Sequence, residues 1–139
     1  MIEIYEIMLK TVAASLVGGL LGWTRAGGSK VIGGPRTFAL VCLGAATYTL
    51  ISETAYTHVI GFDPSRIAAQ IVTGVGFIGA GIIWKQEKTI VGLTTAAGIW
   101  LSAALGIAIA LDLWAITAMS FSLAFVIFKI KPLLRKLNM

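Results

Sequence analysis

Long apolar runs separated by short polar stretches dominate this chain. Runs at about 4–23, 37–52, 67–84, 89–111 and 113–128 predict five membrane-crossing helices. Some of the uncharged cores fall short of the ~20 residues that cross a bilayer upright. Flanking aromatic and basic residues must then complete those spans. The runs leave room for one transmembrane domain over 1–139, and about ten residues after the fifth run leave no room for a soluble second domain.

The polar stretches sort by side. Nine of the eleven Lys/Arg lie in the alternate segments 24–36, 85–89 and 129–139, leaving only Lys10 and Arg66 elsewhere. Cytoplasmic segments retain Lys and Arg, so these three segments are expected inside, with the N-terminus outside and the C-terminus inside. Five of the six acids (Glu3, Glu6, Glu53, Asp63 and Asp112) then fall outside, and Glu87 breaks the pattern. Trp23 and Trp84 at the inner ends, with Tyr5, Tyr56 and Trp114 at the outer ends, match aromatic belts. Glu6 and Lys10 are spaced for a favourable i,i+4 pair, from which Lys10 can snorkel outward.

Composition agrees. The chain is 58% apolar and only 12% charged, where soluble domains carry roughly 25% charged residues. The net charge of +5 would suggest nucleic acid for a soluble protein. Here loops and a basic tail beside an anionic leaflet account for it, and no nucleic-acid partner is expected. The acidic start MIEIYE lacks the positive region of a secretory signal. With one cysteine (Cys42) and one histidine (His58), neither an intrachain disulfide nor a four-ligand zinc site can form. No cofactor is expected.

The chain also repeats itself weakly. Positions 34–46 and 92–104 share six identities in thirteen, and the same offset of 58 pairs Val17-Gly18 with Val75-Gly76. Spans 1–2 and 3–4 then read as duplicated parallel hairpins with a fifth helix added. Gly74, Gly76, Gly79 and Gly81 form a formal G-x-G-x-x-G, yet no strand, following helix or acidic residue supplies a dinucleotide context. Within an apolar run these glycines are expected to pack against other helices, as are Gly18 and Gly22. The alternative is a flexible segment beside a permeation path. Trp100, in the middle of the fourth span, reads as a buried packing residue, with a pore-lining or substrate-contacting role as the alternative.

Two helix entrances carry polar candidates. At the outer start of the third span, Asp63 can cap the helix with Pro64 in its first turn. Arg66 opposes the helix dipole there and needs an anionic partner such as Asp63, Glu53 or Asp112, and Gln70 shares its face. This reads as a structural cap and salt bridge, or as an ionic gate. On the inner side, Thr37, Thr94 and Thr95 can cap the second and fourth helices. Two positive helix ends near Arg25, Lys30 and Arg36 would then suit an anion, with ordinary capping as the plainer reading.

DPSRIAAQIVTGVGFIGAGII (Asp63–Ile83), GLTTAAGIWLSAALGIAI (Gly92–Ile109) and GGPRTFALVCLGAA (Gly33–Ala46) together resemble the membrane domain of the MgtC/SapB family. The likeness covers most of residues 10–110. It departs at Gly22-Trp23-Thr24-Arg25, where the family commonly has Gly-x-Glu-Arg, and at Gly34-Pro35-Arg36-Thr37-Phe38, where it has Gly-Leu-Arg-Thr-His. A carboxylate and a histidine are therefore missing, and the soluble C-terminal domain of many members is not expected. The resemblance implies a prokaryotic inner-membrane protein associated with growth at low magnesium, survival inside host cells and modulation of other membrane proteins such as the ATP synthase.

These observations predict an all-α integral membrane protein that forms homo-oligomers in lipid. The leading function is a non-enzymatic role in magnesium or ion homeostasis through membrane partners. The alternative is a small transporter or channel with its path along the third helix. Mg²⁺ binding needs oxygen ligands and usually carboxylates, and none lies within the third or fourth run. The paired carboxylates or Cys/His arrangement of an enzyme are also missing from the apolar core.

Overall fold

The computed structural model describes residues 3–25, 33–56, 58–63, 65–86 and 89–137, with side chains through 130. It consists of α1 (Ile4–Trp23), α2 (Pro35–Ala55), α3 (Ser65–Ile82), a hairpin of β1 (Trp84–Gln86) and β2 (Thr89–Val91), α4 (Leu93–Ala110) and α5 (Trp114–Leu137). The first four helices are long and apolar enough to cross a membrane, and α5 is apolar from Trp114 to Ile130.

Five helices match the five apolar runs, but the bounds move. The helix of the second run starts at Pro35, which sits in the first turn where its missing N–H costs nothing. The third run ends as a helix at Ile82 rather than 84, and the fourth begins at Leu93 rather than 89. Between them an antiparallel hairpin pairs Trp84 with Val91, Lys85 with Ile90 and Gln86 with Thr89. The strands hold an aromatic, Trp84, and three β-branched residues, Thr89, Ile90 and Val91, a composition that favours strands over a helical loop. Gly92 then enters α4 at φ 96°, a left-handed conformation that glycine adopts without steric cost.

The helix α4 is the centre of the bundle, packed against α1, α2, α3 and α5. The α1–α2 and α2–α4 contacts are close because glycines line them. A Cβ on Gly18 would fall 2.6 Å from Cys42 Cβ, and one on Gly22 would fall 2.7 Å from Pro35 Cα. On α4, Gly98 faces the rings of Phe38 and Phe128, and Gly106 lies against the Cys42 carbonyl. Ala14, Leu21, Phe38, Cys42, Ile99 and Ile109 are wholly enclosed in the resulting core. Ser102 satisfies its hydroxyl there by donating to the Phe38 carbonyl at 2.8 Å.

The helix α3 is held differently. It leans on the core through a stripe at Ile71, Val75, Gly79 and Ile82, spaced four, four and three residues apart. A Cβ on Gly79 would lie 3.5 Å from Ala96 Cβ, so this glycine faces α4. Gly74, Gly76 and Gly81 point off that stripe into open space, contrary to the packing expectation. The sequence repeat breaks at this point: Gly18 is locked between α1 and α2, and its counterpart Gly76 is exposed.

Candidate functional site

Polar side chains gather at the two ends of the bundle, and a groove opens between α2 and α3. At the end carrying the α4–α5 turn, Lys10 is only 5% exposed. Its Nζ donates to the Ala110 carbonyl at 2.9 Å and to Asp112 Oδ2 at 2.6 Å. Burial rules out the snorkelling expected from sequence, because Asp112 and the end of α4 offer Lys10 partners inside the bundle. Glu6, one turn away, is therefore not its counter-ion. Asp112 follows α4 at φ 58°, and it is the one non-glycine with positive φ among the described residues. The Asp112 N–H bonds the Ile109 carbonyl and the Leu113 N–H bonds the Ala108 carbonyl, a Schellman ending with Asp112 in the position that glycine usually takes.

At the same end, Asp63 accepts hydrogen bonds from the Ser65 N–H at 2.9 Å and the Ser65 hydroxyl at 2.7 Å. These bonds hold its carboxyl below the ordinary carboxylate range. Pro64 lies outside the described residues. Arg66 does not find the buried partner expected for it: it is exposed, and among the described residues the one ion pair is Lys10–Asp112. On the first, solvent-facing turn of α3 water screens its charge, so the unfavourable dipole demands no carboxylate.

At the opposite end, Arg25 turns inward beyond α1. Its Nη2 donates to Thr95 Oγ1 at 2.9 Å, and its guanidinium carbon lies 5.1 Å from the centroid of the Phe128 ring. The buried Nε has no hydrogen-bond partner, and desolvation pulls the pKa of the group below its ordinary value. Thr95 thus serves as acceptor for Arg25 and not as a helix cap. No side-chain cap closes α2 at Gly34 or α4 at Gly92. Thr94 and Arg36 are exposed, and Lys30 lies outside the described residues. Arg25 and Arg36 therefore take opposite environments, one enclosed against Phe128 and one facing outward, instead of forming a shared anion cluster.

Trp100 is 51% exposed, a correction to its reading as a buried residue. It belongs to the outward stripe Leu93, Ala97, Trp100 and Ala104, the one face of α4 that no other helix covers. The groove between α2 and α3 encloses about 720 Å³. Thr37, Gly44 and Tyr48 line one wall, and Gln70, Gly74 and Ile78 line the other. Thr37 and Gln70 thus meet in one apolar groove, a relationship that sequence spacing did not suggest. Among the described residues no group of three or more His, Cys, Asp or Glu side chains could hold a metal ion.

Comparison with known proteins agrees with this architecture. The family model described as "MgtC family" matches residues 11–137. This chain belongs to the MgtC family. It is 44% identical over 109 residues to the Escherichia coli K12 protein named "Putative magnesium transporter YhiD", covering 75% of this chain and 50% of that protein. It is 46% identical over 94 residues to protein MgtC of Brucella abortus strain 2308, covering 68% and 38% of the two chains. Protein MgtC of Salmonella typhimurium strain 14028s is 43% identical over 103 residues, covering 74% and 42%. The chain spans half or less of the length of these curated relatives. No solved structure matches it significantly. Family membership and the apolar helices make this an α-helical membrane protein.

Proposed function

We propose that this chain is a non-enzymatic inner-membrane protein of magnesium homeostasis that acts on membrane partners. The magnesium link is carried over from the names of its relatives. The observation that carries the partner reading is the contrast between a sealed core and an open α3. The centre of α1, α2 and α4 is closed by glycine contacts and by enclosed Ala14, Phe38, Cys42 and Ile99. The charged groups that enter the bundle among the described residues, Lys10 and Arg25, are engaged at opposite ends. An ion that sheds its water needs a continuous series of replacement oxygen ligands to cross, and one copy of this core offers none among its described residues. By contrast, α3 presents Gly74, Gly76 and a Phe77 that is 85% exposed.

The orientation we assign places Arg25 and Arg36 in the cytoplasm and Asp112 outside. Reporter fusions at Met139 test this: a cytoplasm-active reporter gives signal, and a periplasm-active one is silent. The partner reading is tested by growth at low magnesium in a strain lacking its own family member. Wild-type protein restores growth, and Phe77→Ala loses it with unchanged thermal stability. Full growth with an altered α3 face contradicts a partner surface there.

A second reading is a transporter or channel built between copies. The groove along α3 and the name of the Escherichia coli relative favour it. Two copies facing across their α3 helices would frame a path that a single chain lacks.

A further inference from the structure

We infer that the α2–α3 groove is a binding site for an anionic phospholipid, with an acyl chain between the helices and the phosphate on Arg36. The groove opens beside a tightly packed α1–α2–α4 core, and its two glycines, Gly44 and Gly74, have no atom of a neighbouring element within 4 Å of where a side chain would begin. A void of about 720 Å³ in a hydrocarbon phase fills with whatever surrounds it. Its length selects a lipid. The walls run from Thr37 to Tyr48 on α2 and from Ile67 to Ile78 on α3, in each case about 17 Å of helical rise. That is roughly half of a ~30 Å hydrocarbon core, the depth of one leaflet. A helix from another copy would be expected to need a groove that continues across both leaflets.

Charge selects the headgroup. Arg36 lies one helical turn before Leu40 and one residue before Thr37, both of which line the groove, so it stands at the groove mouth. It is exposed, and among the described residues it takes part in no salt bridge. A guanidinium at this depth suits a lipid phosphate, which it can bind with two parallel hydrogen bonds. Thr37 adds a hydroxyl just inside the mouth. This inference stands whether the chain acts through partners or as a transporter.

The test uses the full chain in phosphatidylcholine nanodiscs containing a minor fraction of phosphatidylglycerol, with a photoreactive acyl chain on either lipid in turn. Crosslinks of phosphatidylglycerol are expected to concentrate on Leu40–Tyr48 and Ile67–Ile78, enriched about fivefold over phosphatidylcholine, as one basic contact near the surface provides. Arg36→Gln should bring the two lipids to equal labelling, and Arg66→Gln, at the other end of α3, should leave the enrichment intact. Gly74→Leu, placed in open space, should remove groove labelling by both lipids while the protein keeps its elution volume. Three results overturn the inference: labelling spread evenly over exposed faces such as Leu9–Leu16, an unchanged preference in Arg36→Gln, or protein–protein crosslinks in the groove in place of lipid. Displacement by soluble glycerol 3-phosphate would also overturn it, since that would assign the site to a free phosphate.

Discussion

Lys10 Nζ and Asp112 Oδ2 lie 2.6 Å apart although 102 positions separate them in the chain. The pair ties the start of α1 to the end of α4 and explains an unfavourable backbone choice. Asp112 holds φ 58°, where glycine would be less strained. Glycine there could not neutralise a cation enclosed inside the bundle. Charged groups at membrane depth are costly unless paired, and here the pair forms where α4 gives way to the turn.

Removing one partner should therefore hurt unequally. Asp112→Asn keeps a residue that tolerates positive φ and an oxygen that can accept from Lys10, but leaves an enclosed cation without its counter-charge. A loss of about 1–3 kcal/mol is expected, towards the lower end because the Asp112 side chain is 60% exposed. Lys10→Met removes the charge that needs a partner and should cost less. Thermal unfolding in detergent checks the order, and equal losses would reduce the pair to an incidental contact.

Glycines that share one motif should also behave differently. Gly18→Ala drives a methyl group into the Cys42 side chain and the Phe38 carbonyl, so α1 must move away from α2. Overpacking of this kind costs about 1–3 kcal/mol. Gly76→Ala meets nothing within its own chain and gains helix propensity worth up to about 1 kcal/mol. Melting temperatures of the two variants should move in opposite directions. A matching fall for Gly76→Ala, accompanied by loss of an oligomer, would place a second copy on that face.

Much of this was legible in the sequence, for one reason: a bilayer fixes helix length and charge placement strongly. The five helices and the sorting of cations and acids to opposite ends follow from that constraint. What the chain places on each side of a helix is set by packing, which a membrane sequence records poorly because both lipid and core are apolar. Trp100 read as buried for that reason, and Gly76 as packed. The Trp84–Val91 hairpin was hidden inside runs of apolar residues at the ends of α3 and α4. Lys10 is the lone cation inside a span and needs an anion at the same depth, and Asp112 stands at the matching end.

Arginines at the two ends should reverse the order that charge placement alone suggests. Arg66 is exposed, and Arg66→Ala should fall within about 0.5 kcal/mol of wild type. Arg25→Ala removes the bond to Thr95 and the contact with Phe128, for a loss of about 2 kcal/mol. Arg25→Lys should recover only part of it, because a point charge cannot both stack on the ring and reach the hydroxyl. Chemical or thermal unfolding of the three variants checks this.

Asp63 should give α3 a local dependence on pH. Its hydrogen bonds to Ser65 lower the folded pKa beneath the unfolded value of about 3.9. The contribution is therefore complete above that value and disappears as pH falls through the folded one. The carboxylate is exposed, so the expected signal is fraying of the first turn and not global unfolding. The protection of the Ser65 amide, its exchange rate relative to the intrinsic rate at each pH, should fall on acidification in wild type. In Asp63→Asn, which accepts the same bonds without titrating, its protection should not change.

Under the proposed function a single chain seals its core and carries no ion across. Magnesium entry into proteoliposomes holding only this protein, followed with an enclosed Mg²⁺-sensitive dye, tests it most directly. Entry is expected to be no faster than in protein-free vesicles, from the same preparation that restores growth at low magnesium. Uptake that scales with protein and stops when Gly74→Leu fills the groove along α3 would contradict it and make the chain a transporter.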